Sequence, residues 1–129
     1  MHIESYRDLI VWQKAMDAVV EYDRLAARLP KYEQYGLASQ IGRSAASVAS
    51  NIVEGHARAT SREYAHFLAM ARGSGKEMET QLHICLRLGY LSPDQTSHAF
   101  SLADEVSRML TAIRASVLAG KRTKSTRRR

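Results

Sequence analysis

Apolar residues recur at steps of three and four along four separate stretches of the chain, and no stretch alternates apolar with polar as a half-buried strand would. This period restricts the fold to packed helices, because each stretch presents one continuous apolar stripe that must be covered. The first stripe is Val11, Ala15, Ala18, Tyr22, Leu25 and Leu29, widened by Leu9, Trp12, Met16 and Val19, and Pro30 is expected to stop it. The second runs from about Gly36 to Glu54 through Leu37, Ile41, Ala45, Val48 and Ile52. Gly55 is expected to take the left-handed conformation that ends a helix. The third opens on Thr60, Ser61, Arg62 and Glu63, the spacing of a capping box, and continues through Tyr64, Leu68, Ala71, Gly75, Met78, Leu82 and Cys85 to Gly89. Gly73 and Gly75 inside it each cost about 1 kcal/mol relative to alanine, which predicts a close neighbour. The fourth has Ser92 as cap, Pro93 at its first position and Gln95 reaching back, then Ala99, Ala103, Val106, Leu110, Ile113 and Val117 as far as Gly120.

Four long helices with short connections, in a chain of 129 residues, predict one all-α domain. The expected architecture is an antiparallel, up-down-up-down four-helix bundle over residues 1–120, followed by a disordered basic tail over 121–129.

Helix 2 asks for more than a bundle supplies. Between Gly36 and Val53 the only charged residue is Arg43, whereas a chain that is 25% charged should place about four or five there. Ala38, Gly42, Ala46, Ala49 and Val53 form a second face of small side chains beside the core line. Between the two lies a polar stripe of Gln40, Ser44, Ser47, Asn51 and Glu54, able to exchange hydrogen bonds with a neighbouring helix. A second hidden face implies a partner subunit, so the expectation is a closed homo-oligomer with Trp12, Gly42, Ala46, Asn51 and Glu54 at its interface.

Charge is concentrated at one place. Residues 121–129, "KRTKSTRRR", hold six of the 19 basic residues and no acid, which leaves 13 basic and 13 acidic groups in the body. The tail cations Lys121, Arg122, Lys124, Arg127, Arg128 and Arg129 are therefore the candidate nucleic-acid contacts, with Arg58 and Arg62 as secondary candidates. Cys85 is the only cysteine, so neither an intrachain disulfide nor a cysteine-based zinc cluster can form, and a reducing compartment is favoured. The start "MHIESYRDL" lacks a basic n-region and a long apolar run, so the expectation is a cytoplasmic protein that does not engage a membrane.

Catalytic patterns are sparse. Glu63 and His66 have the E-x-x-H spacing of carboxylate-bridged metal bundles, but Glu105 in helix 4 is followed at the matching position by Arg108. A metal-dependent bundle enzyme using Glu54, Glu63 and His66 is thus the alternative, and a structural scaffold binding another protein is a third. No cofactor is expected. His83 is expected to pair with Glu79 one turn earlier, and Cys85 to be a small core residue.

The segments "YRDLIVWQKAMD", "YGLASQIGRSAASVASNIVEG", "EYAHFLAMARGSGKEMETQL" and "LGYL" resemble, in order and spacing, the bacterial four-helix-bundle family encoded in intervening sequences of 23S ribosomal RNA genes. Its middle signature is carried by Ser50, Asn51, Ile52, Glu54 and Gly55, with Val53 in place of an expected alanine. That family is similar in fold to the accessory variability protein of diversity-generating retroelements. The resemblance implies a cytosolic, non-enzymatic protein assembled as a homopentamer, with a role involving RNA, DNA or a ribonucleoprotein.

Overall fold

The computed structural model describes residues 5–120, and among them all regular structure is helical. The four helices are α1 (Ile10–Ala26), α2 (Leu37–His56), α3 (Ser61–Arg87) and α4 (Pro93–Leu118). The tail residues Lys121, Arg122, Lys124, Arg127, Arg128 and Arg129 lie outside the described residues.

Each helix begins for a local chemical reason. A 3₁₀ turn over Tyr6–Asp8, capped by the Ser5 side chain, leads into α1. At α2 the expected start near Gly36 holds, and Glu33 serves the new helix by accepting a hydrogen bond from the Leu37 N–H at 3.2 Å. At α4 the capping box is complete: Ser92 Oγ accepts from the Gln95 N–H at 3.2 Å, and Gln95 Oε1 accepts from the Ser92 N–H at 2.9 Å. The box at α3 is only half formed. Thr60 Oγ1 accepts from the Glu63 N–H at 3.1 Å, but Glu63 turns its carboxylate to the Thr60 hydroxyl, 3.0 Å away, instead of the backbone.

Two helix ends differ from expectation. α1 stops at Ala26, where Ala27, Arg28 and Leu29 tighten into a turn that folds Leu29 back onto the core before Pro30 is reached. Gly55 does not terminate α2: the helix runs through it to His56, and Gly89 and Gly120 are the glycines with positive φ, +77° and +81°. Gly55 is required for space. A Cβ there would lie 2.8 Å from Phe67 Cβ and 3.0 Å from Tyr64 Cδ1, so its absence lets the start of α3 pack against the end of α2.

The apolar stripes meet in one core. Val11, Ala15, Ala18, Tyr22 and Leu25 of α1 join Ile41, Ala45, Val48 and Ile52 of α2, Tyr64, Leu68, Ala71, Met78, Leu82 and Cys85 of α3, and the complete predicted line of α4. Every leucine or isoleucine buried this way contributes about 1.5–3 kcal/mol. α2 packs on α1 and α3, and α4 packs on α3 and α1, so α1 and α3 stand diagonally across the bundle. Cross-helix partners fix the register: Ser47 meets Ser74, Gly55 meets Tyr64, Ala65 meets Arg114, and Lys14 meets Glu105.

Candidate nucleic-acid interface

The polar stripe of α2 has a partner within the chain. Ser74 of α3 donates to Ser47 Oγ at 3.0 Å, and Asn51 Nδ2 donates to the Ser47 carbonyl at 2.9 Å and to Ser47 Oγ at 3.1 Å. Ser44 is buried on the same side. Asn51 is therefore tied to its own helix and faces α3. Of the five interface candidates, Trp12 and Glu54 line one open pocket together with Tyr6, Met16, Ala49, Ser50 and Val53. Trp12 is half-buried on the α1–α2 side, edge-on to Tyr6 at 5.1 Å; Gly42 lies there too, close to Asp23, and Ala46 is exposed. Glu54 is exposed and binds Arg58 at 2.9 Å.

The corner where α2 turns into α3 gathers cations around an aromatic ring. Arg58 lies 4.7 Å from the centre of the Phe67 ring, on which a guanidinium stacks favourably, and the Glu54 carboxylate holds its other side. His66 meets the same ring edge-on at 5.8 Å. Arg58, Arg62, Glu63, His66 and Phe67 line one open cleft of about 390 Å³. From α4, Arg114 Nε donates to the Ala65 carbonyl at 3.2 Å, which brings the last turns of α4 beside the first turn of α3. Gly120 and the exposed Arg58 and Arg62 thus occupy one end of the bundle. A guanidinium stacked on phenylalanine beside a second arginine offers a flat face to a base and fixed charge to a phosphate.

The three residues of the metal alternative are engaged separately. Glu54 binds Arg58, Glu63 binds Thr60 and His66 leans on Phe67; among the described residues no three histidine, cysteine or carboxylate side chains gather as a metal site. His83 departs from expectation as well. Its ring lies 4.5 Å from that of Phe100, while Glu79 binds Lys76 at 3.2 Å. Burial pushes the Cys85 thiol up from its ordinary pKa, which suppresses the thiolate and suits a packing role.

Sequence reasoning missed Phe67 as part of the corner, since it reads as a flank of the α3 stripe. It also missed a relay at the far end of the bundle. Tyr90 donates to Glu33 Oε2 at 2.9 Å, with the Tyr32 hydroxyl 3.2 Å from it, and these bonds hold the Tyr90 pKa well above the ordinary phenol range. Only aromatic residues in two turns signalled it.

Helices, caps and surfaces of this kind define a four-helix-bundle protein with no spanning helix among the described residues. The chain belongs to the 23S rRNA-intervening sequence protein family, which matches residues 7–112. It is similar to a solved protein of unknown function from the S23 ribosomal protein family of Bacteroides thetaiotaomicron, with a TM-score of 0.75 and 23% identity, over 81% of this chain and 97% of that one. No curated protein matches the sequence.

Proposed function

We propose that the protein is a non-enzymatic nucleic-acid accessory module, an up-down-up-down bundle that closes into a homo-oligomeric ring, a pentamer, in the cytoplasm. The observation that carries this reading is the convergence of Arg58, Arg62, Arg114 and the approach to the basic tail on one end of the bundle. The register pairs Ser47 with Ser74 and Ala65 with Arg114 support the antiparallel order. Self-assembly is supported by the lightly charged outer surface of α2, where Ala46 is exposed beside half-buried Trp12, Gly42 and Val53. A ring would present several basic ends together and raise avidity without adding base specificity.

A salt titration of fluorescence anisotropy tests the binding, using a labelled single-stranded RNA and a duplex DNA of equal length. Each phosphate neutralised steepens log affinity against log salt by roughly 0.7 for a single strand or 0.9 for a duplex. Deletion of residues 121–129, or Arg58→Gln with Arg62→Gln, should weaken binding and flatten that slope. Unchanged slopes in both variants would remove this end of the bundle from the mechanism. Native mass spectrometry tests the ring, and a monomer of 14.5 kDa at all concentrations would refute it.

A further inference from the structure

The corner that gathers Arg58, Arg62 and Phe67 also holds an acid, and a surface for phosphates alone would bind better without one. Glu63 is exposed in the same open cleft of about 390 Å³ as Arg58, Arg62, His66 and Phe67. Glu54, the other carboxylate of the corner, is neutralised by Arg58 at 2.9 Å. Glu63 forms no ion pair among the described residues, although two arginines line its cleft. Its Oε1 accepts from the Thr60 hydroxyl at 3.0 Å, which leaves Oε2 and the remaining lone pairs of the carboxylate for a ligand.

Spacing along α3 sets the walls of the cleft. Arg62 and His66 stand four residues apart, as do Glu63 and Phe67, so the first turns of the helix present two adjoining rows. Arg58, 4.7 Å from the centre of the Phe67 ring and anchored by Glu54, adds a planar group held in place. The cleft thus combines flat surfaces, fixed positive charge and one group that only accepts hydrogen bonds.

These features select among bases. A carboxylate is satisfied by two donors side by side and is repelled by a ring-nitrogen lone pair. Guanine carries such a donor pair on its base-pairing edge, N1–H beside the 2-amino group. Adenine and cytosine place an unprotonated ring nitrogen next to their amino group, and uracil and thymine flank a single N–H with two carbonyl oxygens. Guanine's other edge presents O6 and N7, the acceptors that arginine matches. In a duplex the donor pair is bonded to cytosine, so it reaches Glu63 only from an unpaired base.

We propose that this corner takes one unpaired guanine nucleotide, with the donor pair on Glu63, the ring stacked against the planar groups of Arg58 and Phe67, and the phosphate on Arg62. The inference rests on the nucleic-acid reading of this end of the bundle and names the base it selects. The cleft lies near the low end of the roughly 300–1,000 Å³ of small-ligand pockets, a size for one nucleotide. Guanosine in a single strand and free guanosine monophosphate offer the same chemistry, and the experiment separates them.

Fluorescence anisotropy with the full chain, at raised salt where contacts to phosphates alone weaken, compares labelled uridine strands carrying one central guanosine, adenosine, cytidine or inosine, and the guanosine strand annealed to its complement. Guanosine should bind roughly fivefold or more tighter than adenosine or cytidine, the discrimination that a two-bond contact to a base edge supports. Inosine, which lacks the 2-amino group, should fall between, and annealing should abolish the preference. Glu63→Gln separates recognition from charge. The variant alters an exposed side chain, keeps an oxygen for the Thr60 hydroxyl and should retain full helicity by circular dichroism. Loss of a negative charge alone would tighten binding to every strand equally, whereas loss of the acceptor pair should cancel the guanosine preference. Equal affinities for all single strands in the wild type, or a preference that survives in Glu63→Gln, would overturn the guanine assignment and leave nucleic-acid binding by this end standing. If no strand binds, the nucleic-acid reading falls, and calorimetric titration with guanosine monophosphate decides the cleft: binding that Glu63→Gln abolishes would support a site for the free nucleotide, and no binding would overturn both.

Discussion

Gly55 and Phe67 occupy adjoining space so closely that a Cβ on residue 55 would lie 2.8 Å from Phe67 Cβ, with the Tyr64 carbonyl oxygen at 3.3 Å. Neither neighbour is the loose end of a side chain. Gly55→Ala should therefore destabilise by about 1–3 kcal/mol through overpacking, outweighing the roughly 1 kcal/mol that alanine gains in a helix. Gly75→Ala provides the contrast. Its Cβ would meet Val48 Cγ2 at 3.9 Å, an ordinary contact, so this variant should gain about 0.5–1 kcal/mol. Urea denaturation of both variants checks the opposed signs; two losses or two gains would refute the steric assignment.

Tyr22 is fully buried and its hydroxyl has no hydrogen-bond partner. Tyr22→Phe should therefore cost nothing at pH 7 and stabilise by up to about 1 kcal/mol. Desolvation, reinforced by the Glu79 carboxylate, raises the phenol's pKa well above its ordinary value of 10.0. The folded state thus keeps a proton that the unfolded chain releases above pH 10, and stability falls as pH rises beyond that point by up to about 1.4 kcal/mol per unit for this group. Thermal unfolding of the two proteins between pH 8 and 11 should show the phenylalanine variant losing less; parallel curves would exclude Tyr22 as the titrating group.

Asn51 bonds within its own helix and Glu54 sits in an exposed ion pair. Asn51→Ala should cost no more than about 1 kcal/mol, and Glu54→Ala roughly 0.3–0.5 kcal/mol. Measured losses above about 2 kcal/mol in the assembled protein, accompanied by dissociation, would instead show both side chains clasped by a neighbouring copy.

Ser92→Ala removes one arm of the complete capping box and should lower stability by about 1 kcal/mol. Thr60→Ser retains the hydroxyl that serves the half-formed box at α3 and should stay within about 0.5 kcal/mol of the wild type. Paired chemical denaturation curves distinguish the two helix starts; equal losses would contradict the difference between them.

The helices were legible because their information is local. Three- and four-residue steps identified all six predicted core positions of α4, and Ser92, Pro93 and Gln95 marked its start. Gly55 was misread because its constraint comes from Phe67 and Tyr64, across a turn, while a glycine near a helix end usually signals a cap. The polar stripe of α2 was recognised as a face, yet a helical wheel cannot tell whether α3 or a second chain covers it; Ser74 supplies the answer for Ser47. The exposure of Met70, Ile84 and Leu88 was not legible, because apolar character alone does not separate them from the buried line of α3.

Glu33 joins two connections that the chain makes more than fifty residues apart: one oxygen holds the first turn of α2 through Leu37, the other receives the hydroxyl of Tyr90 beyond α3. The two turns are consequently one cooperative unit. An opening fluctuation that frees Tyr90 also releases a partner of the carboxylate that anchors α2, so amide protons at both turns should exchange together.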